Sequence, residues 1–177
     1  MDPAPGGMTL SEEDRRLVGL WAADCAERVL PLFETKAPSD PRPRQAIEGI
    51  RAFARGEVRK GQLRSLVWAA YAAARQAGNP VAAAAARAAG CAAGTPYIHT
   101  QVTLDQAKHA LAPAMYAARA RELEAGDDPR VGDEEIRWAV EHASEAVRSA
   151  LRRMPVRGPG RSRLDALLHR LDAGLRR

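Results

Sequence analysis

Two histidines and an aspartate are the residues of this sequence whose types and spacing come closest to acid–base or metal chemistry. His99 and His109 are ten residues apart, which places them roughly 80° apart around a continuous helix. Asp105 and His109 are four residues apart and share a helical face, so they could form an acid–base or metal-binding pair. The same spacing suits a hydrogen bond that fixes a partly buried histidine, and we favour this interpretation. The three residues therefore predict a polar core or a pocket, without a catalytic or metal-binding role.

A run of acidic residues is the second group that could do chemistry. Between residues 122 and 135 there are seven acids and one arginine. Their spacing is not that of a calcium-binding loop, so we interpret them as a solvated loop followed by the acidic first turn of a helix. The alternative is that they dock a basic partner, because complementary charge speeds encounter. The partner-binding candidates in this run are Asp127, Asp128, Asp133, Glu134 and Glu135.

Three arginines in the segment SDPRPRQAIEGIR (39–51) are further candidates for partner binding. Arg42 and Arg44 lie at the entrance of a predicted helix, beside a loop stiffened by prolines, and Arg51 continues the charged face of that helix. A rigid setting favours a recognition surface. The alternative is that these arginines only satisfy nearby carboxylates or carbonyl groups of the chain.

The C-terminal part of the chain is strongly basic. From residue 148 onward there are nine arginines and two aspartates, a charge of +7, while the whole chain carries +5. The first 147 residues therefore carry −2. Arginines can contact nucleic-acid phosphates, but no aromatic residue interleaves them to stack on bases. The leucine stripe over 164–175 instead predicts a helix that docks on the body, with its arginine face toward the acidic run.

The elements that must position these residues are predicted to be helices. Apolar residues make up 46% of the chain but aromatic residues only 5%, and long β-branched alternations are missing, which indicates an all-α protein. In the stretch from Asn79 to Thr100 the only charged residue between Pro80 and Gly94 is Arg87. A helix that is apolar on nearly every face is a buried one. The chain is therefore predicted to be a single-domain, Ala-rich helical bundle of about seven helices around this central buried helix.

Caps, glycines and prolines predict where the segments begin and end. We expect a break or kink near residues 109–112, because Pro113 lies inside a helical pattern. The predicted organisation is a disordered N-terminus at 1–9, a helical bundle domain at 10–154, a linker at 155–160 and a C-terminal amphipathic helix at 161–177 docked on the bundle. The predicted helices cover residues 11–34, 41–55, 62–76, 80–94, 95–124, 133–151 and 161–175.

The sequence also bears on the compartment and on catalysis. No apolar run is long enough to span a membrane, and the N-terminus lacks a signal-peptide pattern, so we expect a cytoplasmic protein without a membrane partner. Cys25 and Cys91 are expected to be buried, reduced thiols. Nucleotide-binding loops, nucleophile elbows and zinc-protease motifs are missing. The protein is therefore expected not to be an enzyme and to need no cofactor.

Four segments together resemble a known family. They are CAERVLPLFE (25–34), SDPRPRQAIEGIRAFARGE (39–57), AAYAAARQAGNPVAAAAARAAGCAAGTPYIHT (69–100) and YAARA (116–120). This combination looks like the bacterial immunity proteins of the Imm-5-like type, with the second segment as its most distinctive part. The resemblance implies an all-helical cytosolic protein of a polymorphic toxin system, which protects its producer from a cognate toxin.

The leading hypothesis is an immunity protein that neutralises a cognate protein toxin by stoichiometric binding. The first alternative is a nucleic-acid-associated helical protein that uses its arginine-rich C-terminal tail. The second is a metal-dependent helical enzyme that uses His99, Asp105, His109 or the acidic run. A homodimer is left open.

Overall fold

The computed structural model describes residues 9–99, 102–156 and 158–177, and helices make up its regular structure. The all-α prediction is confirmed, since the described residues include no β-strand. Most of the N-terminus predicted to be disordered (1–8) and Arg157 of the predicted linker lie outside these residues. The α-helices are α1 Glu12–Glu27, α2 Leu30–Glu34, α3 Arg42–Ala54, α4 Leu63–Gln76, α5 Pro80–Gly94, α6 Leu104–Glu124, α7 Pro129–His142, α8 Glu145–Arg152 and α9 Arg163–Leu175.

Helix α5 is the centre of the bundle. It begins where the Asn79 side chain accepts a hydrogen bond from the amide of Ala82 at 3.0 Å, with Pro80 in the first turn. Nine of its residues are buried, and α1, α2, α3, α4 and α6 all pack against it. Its alanines allow this crowding, because short side chains let neighbouring helices approach closely.

Gly90 shows how tightly α4 packs on α5. A Cβ atom at this position would lie 2.7 Å from Cε1 of Tyr71 and 3.3 Å from Cβ of Ala70. The ring of Tyr71 therefore rests directly against the backbone of α5. Glycine inside a helix lowers stability by about 1 kcal/mol relative to alanine. The close contact with Tyr71 explains why a glycine stands at this position.

Two of the predicted helices are each divided into two, so the predicted number of seven is too low. The helix predicted over 11–34 ends at Glu27, and α2 begins at Leu30. Pro31 cannot donate to the carbonyl of Glu27 and its ring would clash there. The helix predicted to run from Asp133 to residue 151 also breaks, between α7 and α8, where Ser144 caps α8 by accepting from the amide of Val147 at 3.3 Å.

Helix α6 continues through Pro113, so the break considered for residues 109–112 does not occur. The residues on both sides of the proline are buried, and their packing offsets the hydrogen bond that the missing N–H cannot make. The predicted start at residue 95 is also wrong. A short 3₁₀ helix, Thr95–Tyr97, follows α5, and α6 starts at Leu104 after the Thr103 cap.

Helix α9 packs against α6 and α7. Its leucine face is buried, and Ser162 and Asp165 form a capping box at its N-terminus. Among the residues described, no helix has the length and apolar character needed to cross a lipid bilayer.

Candidate partner-binding site

His99, Asp105 and His109 do not form a polar core, and the alternative prediction of a pocket holds for His109. All three residues are exposed, because the chain leaves α5 through the 3₁₀ helix and places His99 outside α6. Asp105 lies in the first turn of α6. His109 is the one of the three that borders a depression of the described surface.

The three arginines of the segment 39–51 are all held by side chains of this chain. Arg42 forms two hydrogen bonds to Asp40, at 2.8 and 2.6 Å, and one to Gln76 at 2.8 Å. Arg44 forms two to Glu34, at 2.7 and 2.9 Å. These pairs hold α3 against α2 and α4, and a role in partner binding stays a prediction for them.

Arg51 joins α3 to α1. It donates to Glu27 through both terminal nitrogens at 2.8 Å and to Asp24 at 2.8 Å. These hydrogen bonds hold the pKa of Glu27 below its usual value of 4.5. The geometry is that of a structural clamp between two helices.

The acidic run is also largely paired within the chain. Glu135 is buried and accepts two hydrogen bonds from Arg28, the residue that caps the C-terminus of α1, at 2.6 and 3.1 Å. Asp128 caps α7 and pairs with Arg130, while Asp127 pairs with Arg119 at 2.6 Å. Asp133 meets Arg163 and Arg170 of α9, and Glu134 remains exposed beside Arg130. Docking of a partner on this run stays a prediction.

Most arginines of the basic C-terminal part are occupied as well. Arg163 donates to Glu122 at 2.8 Å and to Asp133 at 2.9 Å. Arg148 and Arg176 donate to backbone carbonyls, and Arg153 pairs with Asp14 of α1 at 2.6 Å. These arginines are held by hydrogen bonds and ion pairs within the chain. The described part of this segment therefore offers no continuous row of unpaired arginines to bind phosphates.

A depression with a volume of about 440 Å³ lies on the described surface between α4, α5 and α6. A second depression of about 370 Å³ adjoins it, and the two share Tyr71, Cys91 and His109. We call the two together the α4–α6 cleft. The wider part is lined by Arg64, Val67, Trp68, Gly94, Tyr97, Ile98 and Gln106 and the second by Arg75, Arg87, Lys108, Ala112 and Tyr116, besides the shared residues.

Helical spacing explains why these side chains meet. Arg64, Trp68, Tyr71 and Arg75 follow one another at intervals of three or four along α4, which places them on one face. Arg87, Cys91 and Gly94 do the same on α5. The floor belongs to α5, whose small residues leave the space that Tyr71 and Trp68 border.

Aromatic rings line the wider part of the cleft. Trp68 is 62% exposed and meets Tyr71 edge to face, with 6.2 Å between ring centroids. Tyr97 donates to the carbonyl of Lys60 at 2.5 Å, and Arg64 lies 5.8 Å from its ring centroid. An exposed tryptophan beside an apolar depression is a typical anchor of protein interfaces.

The charge of the cleft is positive. Arg64, Arg75, Arg87 and Lys108 line it, and among the described residues that line it there is no aspartate or glutamate. Within the described part of the chain, none of the four arginine and lysine side chains forms an ion pair. They therefore differ from Arg42, Arg44 and Arg51, whose charges are compensated.

The nucleophiles of the cleft are protonated at neutral pH. Burial raises the pKa of the Cys91 thiol to about 11, although the hydrogen bond with Tyr71 and the charges of Arg87 and Lys108 act the other way. Burial also raises the pKa of Tyr71. No cluster of histidine, cysteine and acidic residues suited to a metal is found among the described residues.

Sequence reasoning did not identify the cleft. Its signal is the lone charge of Arg87 on an otherwise apolar helix, four residues before Cys91. A matching signal is the repeated basic and aromatic face of α4. Both faces are visible in the sequence, but that they adjoin depends on how α4, α5 and α6 pack.

One comparison with known families finds a match. The family model described as Imm-5 like putative immunity protein matches residues 8–146. The matched range contains every residue that lines the α4–α6 cleft. No curated protein and no solved structure matches the chain.

Proposed function

The chain belongs to the Imm-5 like putative immunity protein family, and from this membership we propose that it neutralises a cognate protein toxin by binding it stoichiometrically. The observation that carries the proposal is the extent of the family match, which runs from the residues before α1 into α8. The match thus covers helices α1 to α7 rather than one isolated motif. Its description as an immunity protein implies a toxin as the binding partner.

The proposed mechanism is occlusion of the toxin's active or receptor site by a preformed surface. Helices that pack on α5 and are joined by clamps such as Arg51 with Glu27 leave little backbone freedom to lose on binding. A preorganised surface binds more tightly, because less entropy is lost on association. The α4–α6 cleft is the proposed contact surface, since it combines an exposed tryptophan with uncompensated charge.

This function requires no catalysis by the immunity protein. The thiol of Cys91 is protonated, and a binding surface needs no activated nucleophile. Family membership favours the same non-enzymatic role. We further propose that the protein acts in the cytoplasm of a bacterial toxin producer, and the two free cysteines support a reducing compartment.

A growth assay tests the proposal. The full chain is expressed in bacteria together with each candidate toxin encoded beside its gene, and survival is compared with toxin alone. We expect one toxin to be neutralised and to form a complex of equal subunit numbers in analytical ultracentrifugation. Failure to protect against every neighbouring toxin, or protection without a complex, would contradict neutralisation by binding.

A further inference from the structure

We propose that the α4–α6 cleft binds an acidic segment of the partner protein that carries an apolar or aromatic side chain between its carboxylates. This inference rests on the proposed function and names the chemistry of the partner. The side chains that would recognise the segment are the rings of Trp68 and Tyr71 on the α4 side of the cleft and the cations of Arg64, Arg75, Arg87 and Lys108.

The set of four cations is the first argument. Arg64 and Arg75 lie toward the two ends of α4, with Arg87 and Lys108 across the cleft on α5 and α6. Arginines such as Arg42, Arg51 and Arg163 form ion pairs with carboxylates of the chain. The four cations of the cleft form none within the described part of the chain. A ligand that brings its own carboxylates supplies the missing partners and forms charge-assisted hydrogen bonds.

The apolar lining is the second argument. Val67, Gly94 and Ile98 line the wider part together with the rings of Trp68 and Tyr97. The volume of about 440 Å³ accommodates a large side chain together with adjoining backbone. One apolar anchor seated in a desolvated site commonly carries much of the affinity of a protein interface.

The arrangement favours a protein segment over a nucleic acid. Stacking would be available to bases, but recognition of a strand requires a groove that tracks its backbone over several phosphates. Here the four cations belong to a single cleft, in which Arg64 borders the apolar wider part and Arg75, Arg87 and Lys108 border the adjoining depression. Membership of an immunity-protein family also points to a protein as the partner.

Peptide binding tests the inference directly. The full chain is titrated with three fluorescein-labelled probes and followed by fluorescence anisotropy: a short glutamate-rich peptide with a central phenylalanine, the same peptide with lysine in place of glutamate, and oligo-dT. We expect the acidic peptide to bind with an affinity that falls as salt rises. The lysine peptide should not bind.

Two variants locate the binding. The cleft variant carries Arg87→Glu with Lys108→Glu, and the matched control carries Arg137→Glu with Lys36→Glu. The control residues are exposed, lie outside the cleft and have the same net charge change. The cleft variant should bind the acidic peptide about tenfold or more weakly than the wild type. The control should bind it with an affinity within about twofold of the wild type. Trp68→Ala should also weaken it, because the anchor loses its ring.

The same variants separate this inference from the proposed function. If the wild type and the control protect against the toxin and the cleft variant does not, while circular dichroism shows it folded, both ideas are supported. If the cleft variant still protects, neutralisation holds and the inference is overturned. If no toxin is neutralised but the acidic peptide binds in the cleft, only the proposed function fails.

Three other results would overturn the inference. The acidic peptide could fail to bind the wild type at about 1 mM, or bind the cleft variant equally well. Oligo-dT could bind more tightly than the peptide and lose affinity in the cleft variant, which would assign the cleft to nucleic acid. The wild type could sediment as a dimer that Trp68→Ala dissociates, which would make the cleft an interface between two copies.

Discussion

At the scale of single residues, arginine has two separate uses in this protein. Arg28, Arg51 and Arg163 are held by carboxylates of distant segments and join helices. Arg75 and Arg87 line a cleft without a compensating carboxylate among the described residues. The first use stabilises the fold and the second leaves charge available for a partner, so substitutions in the two groups should have different consequences.

Arg51→Ala should lower stability in a pH-dependent way. Arg51 depresses the pKa of Glu27 below 4.5, so its contribution is complete above that pH and is lost as the pH falls through the folded-state pKa. Because Glu27 and Asp24 are 47% and 41% exposed, we expect a loss of only about 1 kcal/mol at neutral pH. Urea unfolding at neutral and acidic pH measures it. An equal loss at both pH values, or a similar pH dependence for Arg137→Ala, would contradict this account.

Cys91 should react slowly despite its place in the cleft. With a pKa of about 11, only a small fraction of Cys91 is thiolate at about pH 8. Labelling with a disulfide reagent at that pH should therefore be at least a hundredfold slower than for a free thiol. Arg87→Ala should slow it further, because the arginine charge favours the thiolate. Cys91→Ser should abolish the slow native reaction and leave buried Cys25 to react only in denaturant. Rapid labelling of native Cys91 would show that the thiol is not so shielded.

At the scale of elements, α5 decides where the cleft can form. Its small residues let α4 and α6 approach from two sides, and its Gly90 and Gly94 lie at the cleft end of the helix. Tyr71 rests on Gly90, while Gly94 lines the wider part directly. The helix that is most deeply buried therefore also provides the floor of the site.

Two glycine substitutions on α5 should have different effects on stability. At Gly90 a Cβ atom would lie 2.7 Å from Tyr71, whereas at Gly94 the nearest neighbouring atom is Cγ2 of Val67 at 4.0 Å. Gly90→Ala should cost about 1 kcal/mol, because overpacking outweighs the gain in helix propensity. Gly94→Ala should be neutral or stabilising by about 0.5 kcal/mol. Thermal unfolding compares them, and a stabilised Gly90→Ala variant would contradict the close contact.

Arg163→Ala should loosen the attachment of α9. Glu122 is 1% exposed and would keep only Arg119, at 3.4 Å, as a charged partner. Leaving a buried carboxylate so poorly compensated should cost about 3 kcal/mol. Arg170→Ala is the matched control, since that side chain is 58% exposed and pairs only with Asp133, and it should cost less than about 0.5 kcal/mol. Urea unfolding and hydrogen exchange in α9 measure both, and equal effects would contradict the role of Glu122.

At the scale of the whole molecule, the basic C-terminal part is joined to the bundle by packing and charge together. Leu167, Leu168, Leu171 and Leu175 are buried against α6 and α7. Arg163 reaches Glu122 of α6. The net charge of the chain therefore does not indicate how much unpaired positive charge its surface carries, because many arginines form ion pairs with nearby carboxylates.

Deletion of residues 161–177 should compromise the entire fold. Exposing four leucines and their partners removes about 6–10 kcal/mol of burial, which is comparable with the total stability of a domain, about 5–15 kcal/mol. Circular dichroism and sedimentation should show an unfolded or aggregated chain. A truncated protein with an unchanged melting temperature would contradict this, and a loss of nucleic-acid binding from such a folded protein would revive the tail as a nucleic-acid site.

The sequence alone determined the helical class, the central helix and the family. These rest on local signals, because Asn79 with Pro80 caps α5 through neighbouring atoms and the apolar period follows from 3.6 residues per turn. Local signals also explain the errors. Pro31 and Ser144 end helices that apolar periodicity alone would continue.

Only the tertiary structure decided which charges are free and where the cleft lies. Arg28 pairs with Glu135, 107 positions away, and Arg163 with Glu122, 41 positions away. Such pairs depend on how helices pack, which spacing along one helix does not reveal. The cleft also depends on how the helices pack, because its four cations come from α4, α5 and α6. These cations form no ion pair within the described part of the chain, since no carboxylate of the described residues lines the cleft.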